Sequence, residues 1–140
     1  MRYLLDADSA IDHLFRHIDI PVAIPDLTPR DLGLVATTLM ELYTGVYSAR
    51  NPAVAERQLK HFLRNITLIP VNQRVIHGTA ALRAELRERD LPIAHRAFDL
   101  VAAATAREYA LTVITSNTKH FQDIPGLTTF DPRTGQLVTH

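Results

Sequence analysis

The chain has 140 residues, 46% of them hydrophobic, which is enough for a single compact domain over residues 1–140 with its own buried core. It has no cysteine, which excludes disulfides and thiolate chemistry and fits a reducing cytoplasm. Its 15 basic residues balance 15 acidic ones, so no overall positive field attracts a polyanion from a distance.

The amino terminus, MRYLLDADSAIDHLF, lacks the charged start, long apolar run and cleavage site of a secretory signal. No later stretch approaches the ~18 uncharged residues that a membrane span needs, so we expect no membrane association. The run Tyr3-Leu4-Leu5 instead predicts a first strand that ends at Asp6. Ser9 then fits the cap of a following helix, with Asp12 completing a loose capping box.

Strand and helix patterns alternate along the rest of the chain. Residues 18–31 hold three prolines and read as a loop or a broken helix. Strands are predicted at 33–37, 67–71 and 111–115, helices at 38–50, 52–64, 72–89 and 94–109, a helical turn near His120, and a final strand and turn in TTFDPRTGQLV. This alternation predicts an α/β fold with a central, mainly parallel sheet that is wound by helices.

Four acidic or amide residues occur where a predicted strand ends or a predicted helix has just begun: Asp6, Glu41, Asp99 and Asn117. Ligands of open α/β sheets bind at the carboxyl ends of the strands, where such residues gather. Oxygen donors of this kind suit a hard cation such as Mg²⁺. The pattern therefore favours metal-assisted phosphoryl chemistry.

Each of these residues also has an ordinary structural interpretation. Asp6 fits a solvated turn residue after a strand, and Asn117 fits a turn or cap residue. Thr38-Leu39-Met40-Glu41 matches a capping box, in which the glutamate only bonds the helix start.

Asp99 is the strongest candidate, because AFDLVAAATA places its carboxylate among alanine and aliphatic residues. A charge on a buried face is costly unless it is paired or bound to metal. An ion pair with Arg96 is the structural alternative, since the residues at i+3 and i+4 are alanines.

Several further residues are weaker candidates. Asp8 and Asp123 are reserves for the acidic site, and Ser9, Thr115 and Ser116 suit capping or supporting hydroxyl groups. The histidines form no zinc motif, because His13 and His17 in HLFRH lack the glutamate of HExxH, and we expect them on the surface.

Three segments in chain order, YLLDADSAI, TTLMELYTGV and FDLVAAATAREYALTVITSNTKHF, resemble the PIN-domain nucleases, particularly the VapC toxins of toxin–antitoxin pairs. The resemblance spans nearly the whole chain, and although each motif is short, their order and spacing are fairly specific. It implies a three-layer α/β/α fold with a parallel sheet. It also implies an acidic triad of Asp6, Glu41 and Asp99 that binds Mg²⁺ or Mn²⁺.

The same resemblance assigns supporting positions. Asn117 falls on the family's fourth acidic position, where aspartate is common and asparagine also occurs, and it is counted with the catalytic residues. Ser9 falls on a small polar position that supports the first aspartate, and Thr115 on the hydroxyl at the end of the fourth strand. Asp8 departs from the usual Asp-Thr-Asn of the first motif.

The resemblance implies a metal-dependent endoribonuclease that acts as a toxin and leaves a 5′-phosphate and a 3′-hydroxyl. RNA is the implied substrate, a cognate antitoxin the implied protein partner, and a homodimer the implied assembly. For contact with RNA we expect Arg96, Lys119, His120 and the proline-rich segment 18–31, which flank the motifs.

Two other functions compete with this one. A phosphatase of the haloacid-dehalogenase type would use Asp6-Ala7-Asp8, but that motif needs threonine or valine where this chain has Ala10. A non-catalytic PIN-like module that only binds RNA or protein is left open by Asn117, whereas the presence of the intact triad argues against it.

Overall fold

The structure is a computed structural model that describes residues 1–15 and 24–140. Its described strands are β1 (Tyr3–Leu5), β2 (Leu32–Val35), β3 (Thr67–Ile69), β4 (Thr112–Ile114), β5 (Thr128–Asp131) and β6 (Gln136–Thr139). Its described α-helices are α1 (Ala7–Phe15), α2 (Ala36–Tyr47), α3 (Pro52–Leu63), α4 (Gln73–Glu88) and α5 (Ala97–Glu108). Short 3₁₀ helices cover Pro29–Asp31 and Thr118–His120. None of the helices in these ranges has the length and hydropathy of a membrane span.

The strands form one sheet in the order β3-β2-β1-β4-β5-β6. Neighbouring strands are parallel except β5 and β6, which form an antiparallel pair. This confirms the predicted mainly parallel sheet. β1 lies at its centre, with Leu4 in register with Gly33 of β2 and with Val113 of β4. The carboxyl ends of β1 and β4 are therefore adjacent, at the edge where ligands bind in such sheets.

Helices cover both faces of the sheet, as the predicted three-layer α/β/α fold requires. Successive residues of a strand point to opposite faces. Leu4 accordingly packs in a core cluster with residues of α4 and α5, while Leu5 packs in a second cluster with residues of α1, α2 and α3. The inner strands β1, β2 and β4 are buried from both sides, which explains why their sequences are apolar runs and not alternating patterns.

Helix α5 packs against the sheet through alanines. Ala102, Ala103 and Ala104 are buried, and Ala103 is fully buried. Small side chains let a helix approach its neighbours closely. Asp99 lies in the first turn of this helix, which contacts β1, β2 and β4.

Some boundaries differ from the sequence prediction. Helix α2 begins at Ala36, two residues before the expected start. Helix α5 begins at Ala97 and not at Ala94, because His95 has a positive φ of 62° that interrupts helical geometry.

The carboxyl-terminal segment forms two strands joined by a tight turn, where one strand was expected. Gly135 has a φ of 73° at this turn, a conformation that glycine adopts without strain. Of the predicted proline-rich loop, residues 18–23 lie outside the described residues.

Candidate active site

Asp6 joins β1 to α1 without a spacer. Its backbone N–H donates to the Ile114 carbonyl at 3.2 Å, and its own carbonyl accepts from the Ala10 N–H at 3.1 Å. Its Oδ1 accepts from the Ser9 N–H at 2.8 Å, so Asp6 is the residue that caps α1. The prediction that Ser9 is the cap is wrong, because the helix has already begun at Ala7.

The Asp6 carboxylate is buried at the end of the central strand, with 6% of the residue exposed. Burial raises its pKa to about 6, against the opposing effect of hydrogen bonds from the Thr115 side chain and the Ser9 N–H. The Ser9 hydroxyl also lowers this pKa slightly, yet no group in the described residues gives it a well-formed hydrogen bond. Ser9 and Thr115 thus both lie beside Asp6, where the sequence placed supporting hydroxyl groups.

Glu41 lies in the second turn of α2 and is partly buried. Burial, together with the smaller effects of the negative charges of Asp99, Asp8 and Asp6, raises its pKa to about 7. The capping box with Thr38 is not formed, because Val35 precedes the helix and Thr38 is buried inside it. The Glu41 carboxylate therefore faces other carboxylates instead of the start of its helix.

Asp99 is held between opposing charges. Burial raises its pKa, His120 lowers it when protonated, Asp8 raises it and Arg96 lowers it. Its Oδ2 lies 3.2 Å from Nδ1 of His120. The ion pair with Arg96 that the sequence allowed is replaced, since both terminal nitrogens of Arg96 pair with Asp123, at 2.7 and 2.8 Å. Asp123 is thus occupied as a partner of Arg96.

These carboxylates meet in an open cleft of about 450 Å³ at the carboxyl edge of the sheet. It is lined by Asp6, Ala7, Asp8, Glu41, His95, Arg96, Ala97, Phe98, Asp99 and His120. The structure therefore brings together the predicted triad and the reserve residue Asp8. Crowded carboxylates with raised pKa values repel one another, and a divalent cation relieves such repulsion.

The donors of the cleft fit a hard cation. They are carboxylate oxygens, which Mg²⁺ and Mn²⁺ prefer to softer ligands. Within residues 1–15 and 24–140, no three Asp, Glu or His side chains converge tightly enough to bind one ion directly. Such a site leaves coordination positions to water or to substrate oxygens, as is usual for Mg²⁺.

Asn117 lies beside the cleft and not among its lining residues. It lines an adjacent groove of about 320 Å³, together with Asp8, Asp12 and Arg133. Its backbone N–H donates to Oγ1 of Thr115 at 3.0 Å, and its side-chain nitrogen lies 3.0 Å from Nε2 of His120. Asn117 therefore touches the site through two neighbours.

Two contacts were missed by the sequence analysis. His120 was considered only for RNA contact, although its spacing of three residues from Asn117 on a predicted turn is a signal that could have linked them. The pairing of Asp12 with Arg133, at 2.8 Å, joins residues 121 positions apart and has no such signal.

The remaining basic and histidine predictions have mixed outcomes. Lys119 is exposed, and its contact with RNA stays a prediction. Arg96 lines the cleft, but its terminal nitrogens are engaged within the protein. His13 is only partly exposed, with its ring centroid 5.4 Å from that of Phe62. The surface prediction is confirmed for His61, His77, His95 and His120, and His17 lies outside the described residues.

Comparisons with known proteins agree with this geometry. The PIN domain family model matches residues 3–127. The chain is 30% identical over 133 residues to the tRNA(fMet)-specific endonuclease VapC of Salmonella typhimurium, covering 91% of this chain and 95% of that protein. It is 28% identical over 137 residues to the protein of the same name from Shigella flexneri, covering 94% and 98%.

A solved structure gives the same result. The chain matches the crystal structure of VapBC2 from Rickettsia felis bound to a DNA fragment from their promoter, with a TM-score of 0.80 and 25% identity. The match covers 94% of this chain and 100% of that one. The likeness therefore extends over nearly the whole fold, and the family model at residues 3–127 includes every element that carries a cleft carboxylate.

Proposed function

Because the chain belongs to the PIN-domain family, we propose that it is a divalent-metal-dependent endoribonuclease and the toxin of a toxin–antitoxin pair. The observation that carries the proposal is the meeting of Asp6, Glu41 and Asp99 in one open cleft. PIN-domain nucleases generally depend on divalent metal ions. We propose Mg²⁺ or Mn²⁺ here, held by these three carboxylates partly through bound water, because they do not converge tightly enough to bind one ion directly.

When bound, the cation supplies Lewis-acid activation of a water molecule and of the scissile phosphodiester. The protein's own contribution is positional. Asp6 is fixed by its role in capping α1, and Asp99 by the packing of α5 and its contact with His120. Glu41, with a pKa of about 7, holds a proton for part of the time at neutral pH in the metal-free protein and loses it when the cation binds.

The RNA is expected to approach across the open side of the cleft. Lys119 and His120 are exposed there and offer donors to phosphate oxygens. Two relatives carry the name of a tRNA(fMet)-specific endonuclease, which makes transfer RNA the first substrate to test. Without cysteine, the chain suits a cytoplasmic location, which the proposal includes.

The protein partner is proposed to be an antitoxin that covers this cleft. The Rickettsia felis structure is of a VapBC complex, so that relative is seen with its partner. An acidic cleft without its cation attracts a basic side chain of the antitoxin, which would block the site. The expected homodimer remains a prediction, which light scattering on the isolated chain tests.

The test is cleavage of total cellular RNA by the purified protein, freed of any partner, in Mg²⁺ or Mn²⁺. Controls are the Asp99→Asn variant and addition of EDTA, and cut ends are mapped by sequencing. We expect discrete 5′-phosphate ends that are lost in both controls, and loss of cleavage when the cognate antitoxin is added.

The same experiment separates the alternatives. RNA binding without cleavage in any metal, by a folded protein, would support a non-catalytic binding module. Hydrolysis of small phosphomonoesters would support the phosphatase, although the family match favours the nuclease.

A further inference from the structure

His120 bridges Asn117 and Asp99. Its Nδ1 lies 3.2 Å from Oδ2 of Asp99, and its Nε2 lies 3.0 Å from the side-chain nitrogen of Asn117. His120 lines the acidic cleft, whereas Asn117 lies behind it in the neighbouring groove. The imidazole ring of His120 therefore links the Asn117 amide to the Asp99 carboxylate.

These two contacts select one form of the neutral ring. The amide nitrogen of Asn117 can only donate, so Nε2 of His120 must accept. The ring proton then resides on Nδ1, which donates to the Asp99 carboxylate. In this way a partner on one ring nitrogen sets the role of the other.

Asp99 needs such a donor because packing alone does not fix its side chain. About a third of the side chain is exposed, at 34%. A carboxylate that binds a metal is commonly oriented by a hydrogen bond to its other oxygen lone pairs, and loss of that bond weakens metal binding. His120 supplies this bond from outside the triad.

The turn that carries His120 is itself fixed. Nη2 of Arg96 donates to the His120 carbonyl at 3.0 Å, and Arg96 is anchored by Asp123. Phe121, the next residue, is fully buried in the core. The Asn117 backbone N–H bonds Thr115, which in turn supports Asp6. The ring is therefore delivered to Asp99 by a rigid segment.

We propose that His120 and Asn117 are positioning residues: His120 orients Asp99 for metal binding through its Nδ1–H, and Asn117 acts through His120 by holding that form of the ring. This inference rests on the proposed function for the metal site. It assigns Asn117 a role different from that of a fourth metal ligand. The asparagine at this position is then functional as an amide, because its nitrogen is the required donor.

The test is a double-mutant cycle on Mn²⁺ affinity, measured by electron paramagnetic resonance without RNA. The variants are His120→Ala, Asn117→Ala and the double variant, with Gln122→Ala, an exposed residue of the same segment, as the control. We expect His120→Ala to weaken Mn²⁺ binding about 10–100-fold and Asn117→Ala to weaken it less. The double variant should bind no more weakly than His120→Ala, since residues acting through one another are not additive.

A rescue variant separates positioning from a general structural effect. In His120→Asn, the amide nitrogen takes the place of Nδ1 and donates to Asp99 without help from residue 117. On a logarithmic scale, His120→Asn should recover at least half of the Mn²⁺ affinity that His120→Ala loses. Adding Asn117→Ala to His120→Asn should then change the affinity by less than about twofold. Nitrogen-15 spectra of the neutral ring should show the proton on Nδ1 in the wild type.

The outcomes are distinct. If Asn117→Ala weakens Mn²⁺ binding by the same factor in the wild type and in His120→Ala, the two losses are additive. This result would overturn the inference and make Asn117 an independent metal ligand. A wild-type ring protonated on Nε2 when neutral would overturn it as well. A wild-type protein that binds no Mn²⁺ would instead defeat the proposed function, and the inference with it.

Discussion

At neutral pH, ionisation of the Asp6 and Glu41 carboxyl groups opposes folding. Their ordinary pKa values of 3.8 and 4.5 are raised to about 6 and about 7 in the folded protein, chiefly by burial. At pH values between the ordinary and the raised pKa of each group, the folded state binds more protons than the unfolded state. The free energy of unfolding therefore falls as pH rises through this range. The two groups therefore destabilise the metal-free protein above pH ~7 and cease to do so as the pH falls toward ~4.

Replacement of Glu41 by glutamine should relieve part of this cost. Because the side chain is partly exposed, we expect about 1 kcal/mol, or a rise in Tm of roughly 2–4 °C at pH 7.5 without metal. The gain should vanish near pH 4.5, where glutamate is protonated in the folded protein. Thermal unfolding across this pH range measures it, with the exposed Glu88→Gln as the control. A lower Tm for Glu41→Gln at pH 7.5 would contradict the assignment.

The same two groups predict proton release on metal binding. A carboxylate must be ionised to bind a cation, so any proton it holds is expelled. At pH 6, near or below the two raised pKa values, we expect about one proton or more per Mn²⁺, and at pH 8 close to none. Calorimetry in buffers of different ionisation enthalpy counts these protons, and release that does not depend on pH would rule out the raised pKa values.

The sequence predicted the carboxylate residues of the site but not the side chains that contact them. Asp6, Glu41 and Asp99 could be identified because each follows a strand or opens an apolar helix, and the geometry places all three in one cleft. The contact of His120 with Asp99 depends on how a turn packs against a helix start 21 residues earlier, which no local pattern encodes.

The helices and strands were largely predictable because their apolar runs and periods are strong. β1, the helix α3 and the helix α4 lie within about two residues of their predicted bounds. The errors fall at helix starts, where backbone geometry decides. Val35 enters α2 directly from a strand, without a polar cap, and His95 breaks the helix that apolar residues 94–109 suggested.

The hairpin of β5 and β6 was missed for a different reason. Its turn sequence, DPRTG, was recognised, but the strand after it is mostly exposed and lacks an apolar run. Part of what holds the hairpin comes from α1, since Arg133 in the turn bonds the buried Asp12 at 2.8 Å. This tertiary contact stabilises a strand that the local sequence pattern does not predict.

Removal of this contact should loosen the hairpin. Arg133→Ala leaves the Asp12 carboxylate with one fewer charged partner, although Ser116 still lies 3.3 Å from it. Because Arg133 is half exposed, we expect a loss of roughly 1–2 kcal/mol in the free energy of unfolding.

Urea denaturation measures this change, with Arg57→Ala on the exposed face of α3 expected to stay within about 0.5 kcal/mol of the wild type. Hydrogen exchange should show faster opening of β6 in Arg133→Ala. Equal stability of the two variants would mean that the hairpin is held by the sheet alone.

For the whole molecule, charge neutrality limits how RNA is bound. The chain has 15 basic and 15 acidic residues, and its cleft is acidic, so few basic side chains are left to bind RNA phosphates. Each phosphate contact to a single strand contributes about −0.7 to the slope of log affinity against log salt concentration.

We therefore expect a slope no steeper than about −2 for RNA binding by the inactive Asp99→Asn variant in Mg²⁺, equivalent to about three contacts. Fluorescence anisotropy from low to high potassium chloride measures it, and Lys119→Ala should make the slope shallower by nearly one contact. A slope near −5 would contradict this expectation, because it would require about seven phosphate contacts.

Asp6 binds β4 through its N–H, starts α1 through its carbonyl and caps that helix through its side chain. The rotational entropy of the Asp6 side chain, a proposed metal ligand, is therefore lost when the chain folds and need not be lost again on metal binding. Glu41, on a longer and more exposed side chain, keeps more of that freedom. Substitutions beside Glu41 and Asp99 can consequently change metal affinity alone. Any substitution of Asp6 also alters the connection between β1 and α1.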